Sequence, residues 1–341
     1  GVPFFGQNDG SSILPLNSCG YRDFRPVIQS VGFLLHRRRC LDEGPWDEDL
    51  LWLFGPASLE SPSVNMSQGD VRAPIGGCYT LRSRDGFLFT RCGTYRDRPG
   101  QADALHVDLW WKGQNIAIDP GTYSYNAPPP WNNPFARTVY HNTVSVDDLD
   151  QMDRYGAFLW FPWTRGQVRR SLRSTKGALA YWEGVHDGYQ RLKTPVTHRR
   201  GILRFGNESW LVFDRLASSG IHDYRLHWLL MDCEHEWDAD RGTLALTTQK
   251  GRFHVIVSAD KPGGRFSLIR ALPDEPRGWW APHYCTKSPA LSLELRVQGE
   301  TVTFCTVLSP HDCTVERKDR KIEIHSSMLR SHINLREESM Q

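Results

Sequence analysis

The chain has 341 residues with 41 Lys and Arg against 39 Asp and Glu, a net charge of +2, so it lacks the general basicity that draws a protein to nucleic acid. With 39% hydrophobic and 23% charged residues it has the composition of an ordinary globular protein, long enough for one large core or two. No run of about 18 apolar residues occurs, which excludes a helical membrane span at the level of sequence.

The opening GVPFFGQNDG carries neither an initiator Met nor a charged-then-apolar leader, and reads as the interior of a longer chain. Residues 25–40 and 47–54 place apolar side chains at helical spacing and end at Gly55-Pro56, which predicts a helical segment over 1–56. Residues 57–74 are rich in Ser and Pro and read as a linker. From residue 75 to 341 the pattern becomes short strands between turns. YTLRSRDGFLFTRCG is strand, Asp-Gly turn, strand, and ALHVDLWWKGQNIAID repeats the form around Lys112-Gly113. Ten more candidates follow: NTVSVDD, ALAYWEGVH, THRRGILRF, SWLVFDRLA, YRLHWLLMD, GTLALTTQ, RFHVIVSAD, LSLELRVQG, ETVTFCTVL and KIEIHSS. Together they predict a mainly β protein, a large antiparallel sandwich behind a short helical segment. The eight Cys are scattered, with no CxxC pair to suggest structural zinc, and read as free thiols.

Three segments are too irregular to be mere strand or turn. RPGQADALHVDLWW (98–111) enters a strand through a Gly-Gln-Ala-Asp turn. IDPGTYSYNAPPPWNN (118–133) is a strand followed by a long loop, and long loops inside compact domains are usually functional. FARTVYHNTVSVDD (135–148) sets an Arg, a Tyr and a His-Asn pair before a strand.

GQADAL, IDPGTYSYN, RTVYHNTVSVDD and HDGY (186–189), in this order and spacing, resemble the heparinase II/III-like polysaccharide lyases, and the Gln of the first motif resembles the heparinase III branch. GQNDG and LPL within 6–16 resemble the last segment of the family's α/α toroid. The resemblance implies that residues 1–56 end such a toroid and that the rest is the sandwich beside it. It further implies a metal site at Gln101, Asp119 and His141. Many members have His-x-His where this chain has Pro99 and Gln101. That exchange moves the expected divalent metal from zinc toward calcium, because it substitutes an oxygen donor for a nitrogen.

The implied reaction is β-elimination from a uronate-containing acidic glycan such as heparan sulfate. It needs a base for the C5 proton, a group that neutralises the adjacent carboxylate, and an acid for the leaving oxygen. His141 is a candidate proton relay or metal ligand, and Tyr123 and Tyr125 are candidate acids or sugar platforms. Arg137, Asn142, Trp131 and His186 are the candidate substrate-binding residues; Arg137 could equally pair with a nearby Asp, and Asn142 could organise its turn. The family's neutralising Asn and basic Tyr lie in the toroid, upstream of the first matched segment, so the chain reads as a C-terminal part of a lyase. The alternative is a non-catalytic carbohydrate-binding sandwich. A glycoside hydrolase would need a carboxylate pair, and Asp103, Asp108, Asp119 and Asp147 form no obvious one by spacing. The expected partner is an acidic polysaccharide and the expected setting periplasmic or secreted.

Overall fold

The computed structural model describes residues 2–4, 6–10, 15–64, 69–173, 180–318, 321–326 and 330–334, and forms two compact units. The smaller, Asn8–Gly69, holds α1 (Arg25–His36) and α2 (Glu48–Phe54). Pro26 sits in the first turn of α1, where its missing N–H costs nothing, and Arg37 closes the helix in the left-handed region. Glu48 and Asp49 face the positive end of α2, and Gly55 stops it at φ 82°. Between them Gln29 is a buried clamp: its amide donates to Asp47 Oδ1, and its oxygen accepts the N–H groups of Cys40 and Leu41. The outer face of α1 is apolar, with Val27, Ile28, Val31, Leu34 and Leu35 exposed.

The larger unit runs from Asp70 onward and includes Pro3–Gln7. Its first strands are β1 (Arg72–Ala73), β2 (Cys78–Arg82), β3 (Gly86–Arg91), β4 (Val107–Trp111), β5 (Gln114–Ala117) and β6 (Val144–Val146). The turn joining β4 to β5 has Lys112 at φ 47° and Gly113 at φ 78°, the left-handed pair that a two-residue hairpin loop requires. A small hairpin, β7 (Asp153–Gly156) and β8 (Leu159–Phe161), precedes β9 (Gly166–Arg173), β10 (Ala180–His186) and β11 (Thr197–Phe205). Then come β12 (Ser209–Leu230), β13 (Glu234–Asp238), β14 (Thr243–Thr248), β15 (Gly251–Ala259) and β16 (Arg265–Arg270). The hairpin β17 (Trp279–His283) and β18 (Thr286–Pro289) leads into β19 (Leu291–Ser309), and β20 (Cys313–Lys318), β21 (Lys321–Ser326) and β22 (Arg330–Asn334) make a separate sheet.

Two pairs of expected strands are each one long strand. SWLVFDRLA and YRLHWLLMD join as the 22-residue β12, and LSLELRVQG and ETVTFCTVL as the 19-residue β19. These two pair along their lengths, with a register shift between Ala217 and His222. The Ser-Ser-Gly stretch that reads as a turn is therefore absorbed as an irregularity within a continuing strand. The first half of β12 pairs with β11, and the second half of β19 with β15, giving the layer β9-β10-β11-β12-β19-β15-β14-β13. The other halves pair with β5, β6 and β16, and β1 to β5 continue that layer outward. The layers meet over one core: Tyr79 packs on Trp182 at 5.6 Å between ring centroids, and Trp111 on Phe253 at 5.3 Å. This is the expected antiparallel sandwich, with its β4–β6 side carrying all three irregular segments. All eight cysteines are free thiols.

Candidate functional site

The segment before β4 turns inward. Gln101 to His106 are all buried, Leu105 takes φ 61°, and His106 N–H donates to Asp103 C=O at 3.0 Å. β5 runs on through Ile118, whose N–H bonds Leu229 C=O, and delivers Asp119 to the same interior, where Oδ1 accepts Gly121 N–H at 2.8 Å. A 3-10 turn at Thr138–Tyr140 delivers His141. The result is a buried cluster of His106, Asp119 and His141, whose donor atoms all lie within 4.8 Å of one another. Asp119 Oδ2 is 3.4 Å from His106 Nε2 and 3.5 Å from His141 Nδ1.

Four backbone braces hold this cluster. Asn142 is completely buried; its amide N–H groups bond the carbonyls of Val107 and Ile118, and its oxygen accepts Leu229 N–H. Arg200 Nη1 donates to the carbonyls of Leu105 and Asn142, each at 2.6 Å. His227 donates Nδ1–H to His141 C=O and accepts the Ser292 hydroxyl at Nε2. Gln101 gives its amide N–H to Gly121 C=O at 3.3 Å.

Behind Arg200 lies a directional chain. Gly188 N–H occupies His186 Nδ1, so the proton of His186 is on Nε2, which reaches His198 Nδ1 at 3.0 Å. His198 must then carry its proton on Nε2, 2.7 Å from Asp214 Oδ1, and the Arg200 fork closes on both oxygens of Asp214. Burial, then the neighbouring His198 and Arg200, hold the His186 pKa well below its ordinary value. Burial alone would raise Asp214; Arg200 and His198 more than offset it and bring the carboxyl down to about 2.

Five buried donor or acceptor atoms in the cluster have no hydrogen-bond partner: Gln101 Oε1, His106 Nε2, Asp119 Oδ2, and both ring nitrogens of His141. Lone pairs are rarely left so in an interior unless an ion or water takes them. His106 is distinguished from the rest. Its Nδ1 accepts Asn142 N–H at 3.1 Å, so in neutral imidazole Nε2 bears the proton and points at Asp119. The atoms with lone pairs to offer a cation are those of Gln101, Asp119 and His141. The ionised Asp119 carboxylate suits a cation. Burial would raise Asp119, but His141 and His106 outweigh it and keep the carboxyl ionised, while burial lowers His106 to about 3 and keeps it neutral. For His141 the influence of Asp119 outweighs burial and raises its pKa.

The other expected site residues fall in different places. Asn142 and His186 are both buried, and every side-chain polar atom of each is hydrogen-bonded within the protein. Asn142→Ala is expected to cost about 2–3 kcal/mol in a urea titration, since three buried backbone groups lose their partner; a loss under about 0.5 kcal/mol would show that the clamp is dispensable. Arg137 pairs with Asp150 at 3.0 Å and keeps 41% of its side chain exposed. Tyr123 packs on Trp131, and Tyr125 on Phe158 and Tyr284, so both rings turn toward the β17–β18 hairpin. Sequence reading missed His106, which lies just before β4 and alternates with the core residues Leu105, Val107 and Leu109, so it has the pattern of an outward-facing polar residue and carries no local signal of burial.

Comparisons with known proteins bear on the family and the fold. The family profile "Heparinase II/III-like, C-terminal" matches residues 65–324. Among solved structures, a heparan sulfate lyase HepC from Pedobacter heparinus superposes with a TM-score of 0.69 at 14% identity, covering 98% of this chain and 50% of that one. A structure titled heparinase III gives 0.69 at 14%, covering 97% and 50%, and another heparinase III, with methylated lysines, gives 0.69 at 14%, covering 97% and 48%. At that identity the likeness establishes the fold. The chain spans about half the length of these structures. No curated protein matches. With the profile covering most of the chain and the irregular segments inside it, the chain belongs to the heparinase II/III-like C-terminal family.

Proposed function

We propose that this chain is the sandwich part of a polysaccharide lyase that cleaves uronate-containing acidic glycans, of the heparan sulfate kind, by β-elimination. The observation that carries the reading is the set of unpartnered buried donors at Gln101, Asp119 and His141 within the family-matching segment. The exposed apolar face of α1 supports the fragment reading, since further helices in the whole protein would cover it.

Gln101, Asp119 and His141 would hold the metal. A divalent cation held by these buried side chains would brace the Asp119–Gly121 loop from inside the sandwich and supply a fixed positive charge there. The chain's own part is to present Tyr123, Tyr125 and Trp131 on that loop and to keep part of the Arg137 side chain exposed. The identity of the metal turns on His106. Gln, Asp and one His form an oxygen-rich set that suits calcium, whereas His106 as a ligand would make a His-Asp-His set suited to zinc. His106→Gln is expected to retain calcium with about 10–100-fold weaker affinity, the loss of an orienting partner. Elemental analysis showing stoichiometric zinc, lost in that variant, would make His106 a ligand instead.

The enzymatic test is the appearance of an unsaturated uronate absorbing in the near ultraviolet when the full-length protein meets acidic glycans. Reducing ends without that absorbance would sink elimination in favour of hydrolysis. The second reading, a carbohydrate-binding sandwich without turnover, is favoured by the commitment of Tyr123 and Tyr125 to aromatic contacts. It predicts glycan binding with no absorbing product. No helix among the described residues is long and apolar enough to cross a membrane. A periplasmic or secreted setting suits a protein that meets such polysaccharides.

A further inference from the structure

The β17–β18 hairpin is fastened to the loop that follows Asp119. Ala281 N–H donates to Pro120 C=O at 2.7 Å, Cys285 N–H to Tyr123 C=O at 2.6 Å, and Tyr125 N–H to the Tyr284 hydroxyl at 3.1 Å. Gly121 makes the approach possible: it has φ 74°, and a Cβ there would lie 2.4 Å from Ala281 C=O. The hairpin and loop are thus one surface, and its composition is unusual.

Lys287 Nζ lies 3.3 Å from the ring centroid of Trp131 and 4.5 Å from that of Trp279, with Tyr123 at 5.9 Å. Farther along, Tyr284 packs on Tyr125 at 5.2 Å, Tyr125 on Phe158 at 4.8 Å, and Arg98 lies over Phe158 at 5.0 Å. The strip therefore runs from one cation to another across half-exposed rings. Neither Lys287 nor Arg98 makes an ion pair among the described residues. Burial among the indoles lowers the Lys287 pKa, and no carboxylate opposes that. A cation held by aromatic faces and left without a counter-ion is a prepared site for an anion, and the neighbouring rings present C–H-compatible faces to a pyranose.

We propose that the β17–β18 hairpin and the 121–131 loop form a binding strip for an acidic glycan. Lys287 takes a carboxylate or sulfate at one end, Arg98 takes another on a neighbouring sugar, and the Trp279, Tyr284 and Tyr125 rings carry the sugar faces between them. This rests on the acidic-glycan reading above and adds to it the place where the chain is gripped.

The test is isothermal titration of the full chain with a heparan sulfate octasaccharide, an alginate oligosaccharide, and neutral cellohexaose, each at low and high salt. The wild-type chain is expected to bind an acidic ligand in a salt-sensitive way and to ignore cellohexaose. Lys287→Gln and Arg98→Gln are each expected to weaken acidic binding by about tenfold and to flatten its salt dependence, with metal content unchanged. Arg98 is exposed, so its variant keeps the test valid should Lys287→Gln fold poorly. Acidic ligand bound equally by wild type and both variants, but lost in Asp119→Asn, would overturn the strip and leave the metal-loop reading standing. No acidic glycan bound by the wild type would overturn both.

Discussion

Asp214→Ala is expected to destabilise the protein by about 3–5 kcal/mol, read from the shift in its urea midpoint. The size follows from what is left behind. Arg200 is completely buried, and without Asp214 its positive charge stays in the interior with only two carbonyls to face. The double variant Arg200→Met/Asp214→Leu removes both charges and is expected to recover a large part of that loss, because a vacated ion pair costs less than a broken one. Equal loss in the single and double variants would contradict this account. The same network sets the acid limit. His186 has a depressed folded pKa, so below about pH 6.5 the unfolded chain takes a proton that the folded chain refuses. Stability is therefore complete above that pH and falls by about 1.4 kcal/mol per pH unit for each excluded proton as acid is added. Asp214, held near 2 when folded, contributes stability above its unfolded value of about 4 and loses it as pH falls toward 2. A urea midpoint that stays flat between pH 7.5 and 5 would contradict the histidine part.

Asp119→Asn is expected to abolish metal binding and to cut any lyase activity of the whole protein at least about a hundredfold, with the fold retained. Asparagine keeps the oxygen that accepts Gly121 N–H and changes only the charge facing His106 and His141. Elemental analysis of the purified variant beside wild type decides it. Metal at wild-type stoichiometry in the variant would move the site elsewhere. The two aspartates differ in what they face: Asp214 meets Arg200 and His198 in the body of the sandwich, and Asp119 meets two histidines in the irregular segments.

The hairpins were legible because their signals are local. Asp85-Gly86 and Lys112-Gly113 announce turns within a few residues, and the flanking apolar runs mark strands. The continuity of β12 and β19 was not, because Ser218-Ser219-Gly220 has turn composition and only the pairing with a long partner carries the strand across it. Asp119 and His141 were singled out by their motifs, and the fold brings the two side chains together. Arg200 and Asp214 look like ordinary polar positions in two strands; only register makes them direct cross-strand partners, as it does His186 and His198. Lys287 lies more than 150 residues along the chain from Trp131, and no pattern in either segment points to the other.

The long pair β12 and β19 has one more consequence. Each strand enters both layers, so neither layer owns a complete set of edges. Opening one would strip hydrogen bonds from a strand that the other still needs. Amide exchange along these two strands should therefore occur only through global unfolding, as one foldon, while the β17–β18 hairpin and its loop exchange by smaller local openings. The architecture thereby separates a slow, all-or-none frame from a surface free to open locally.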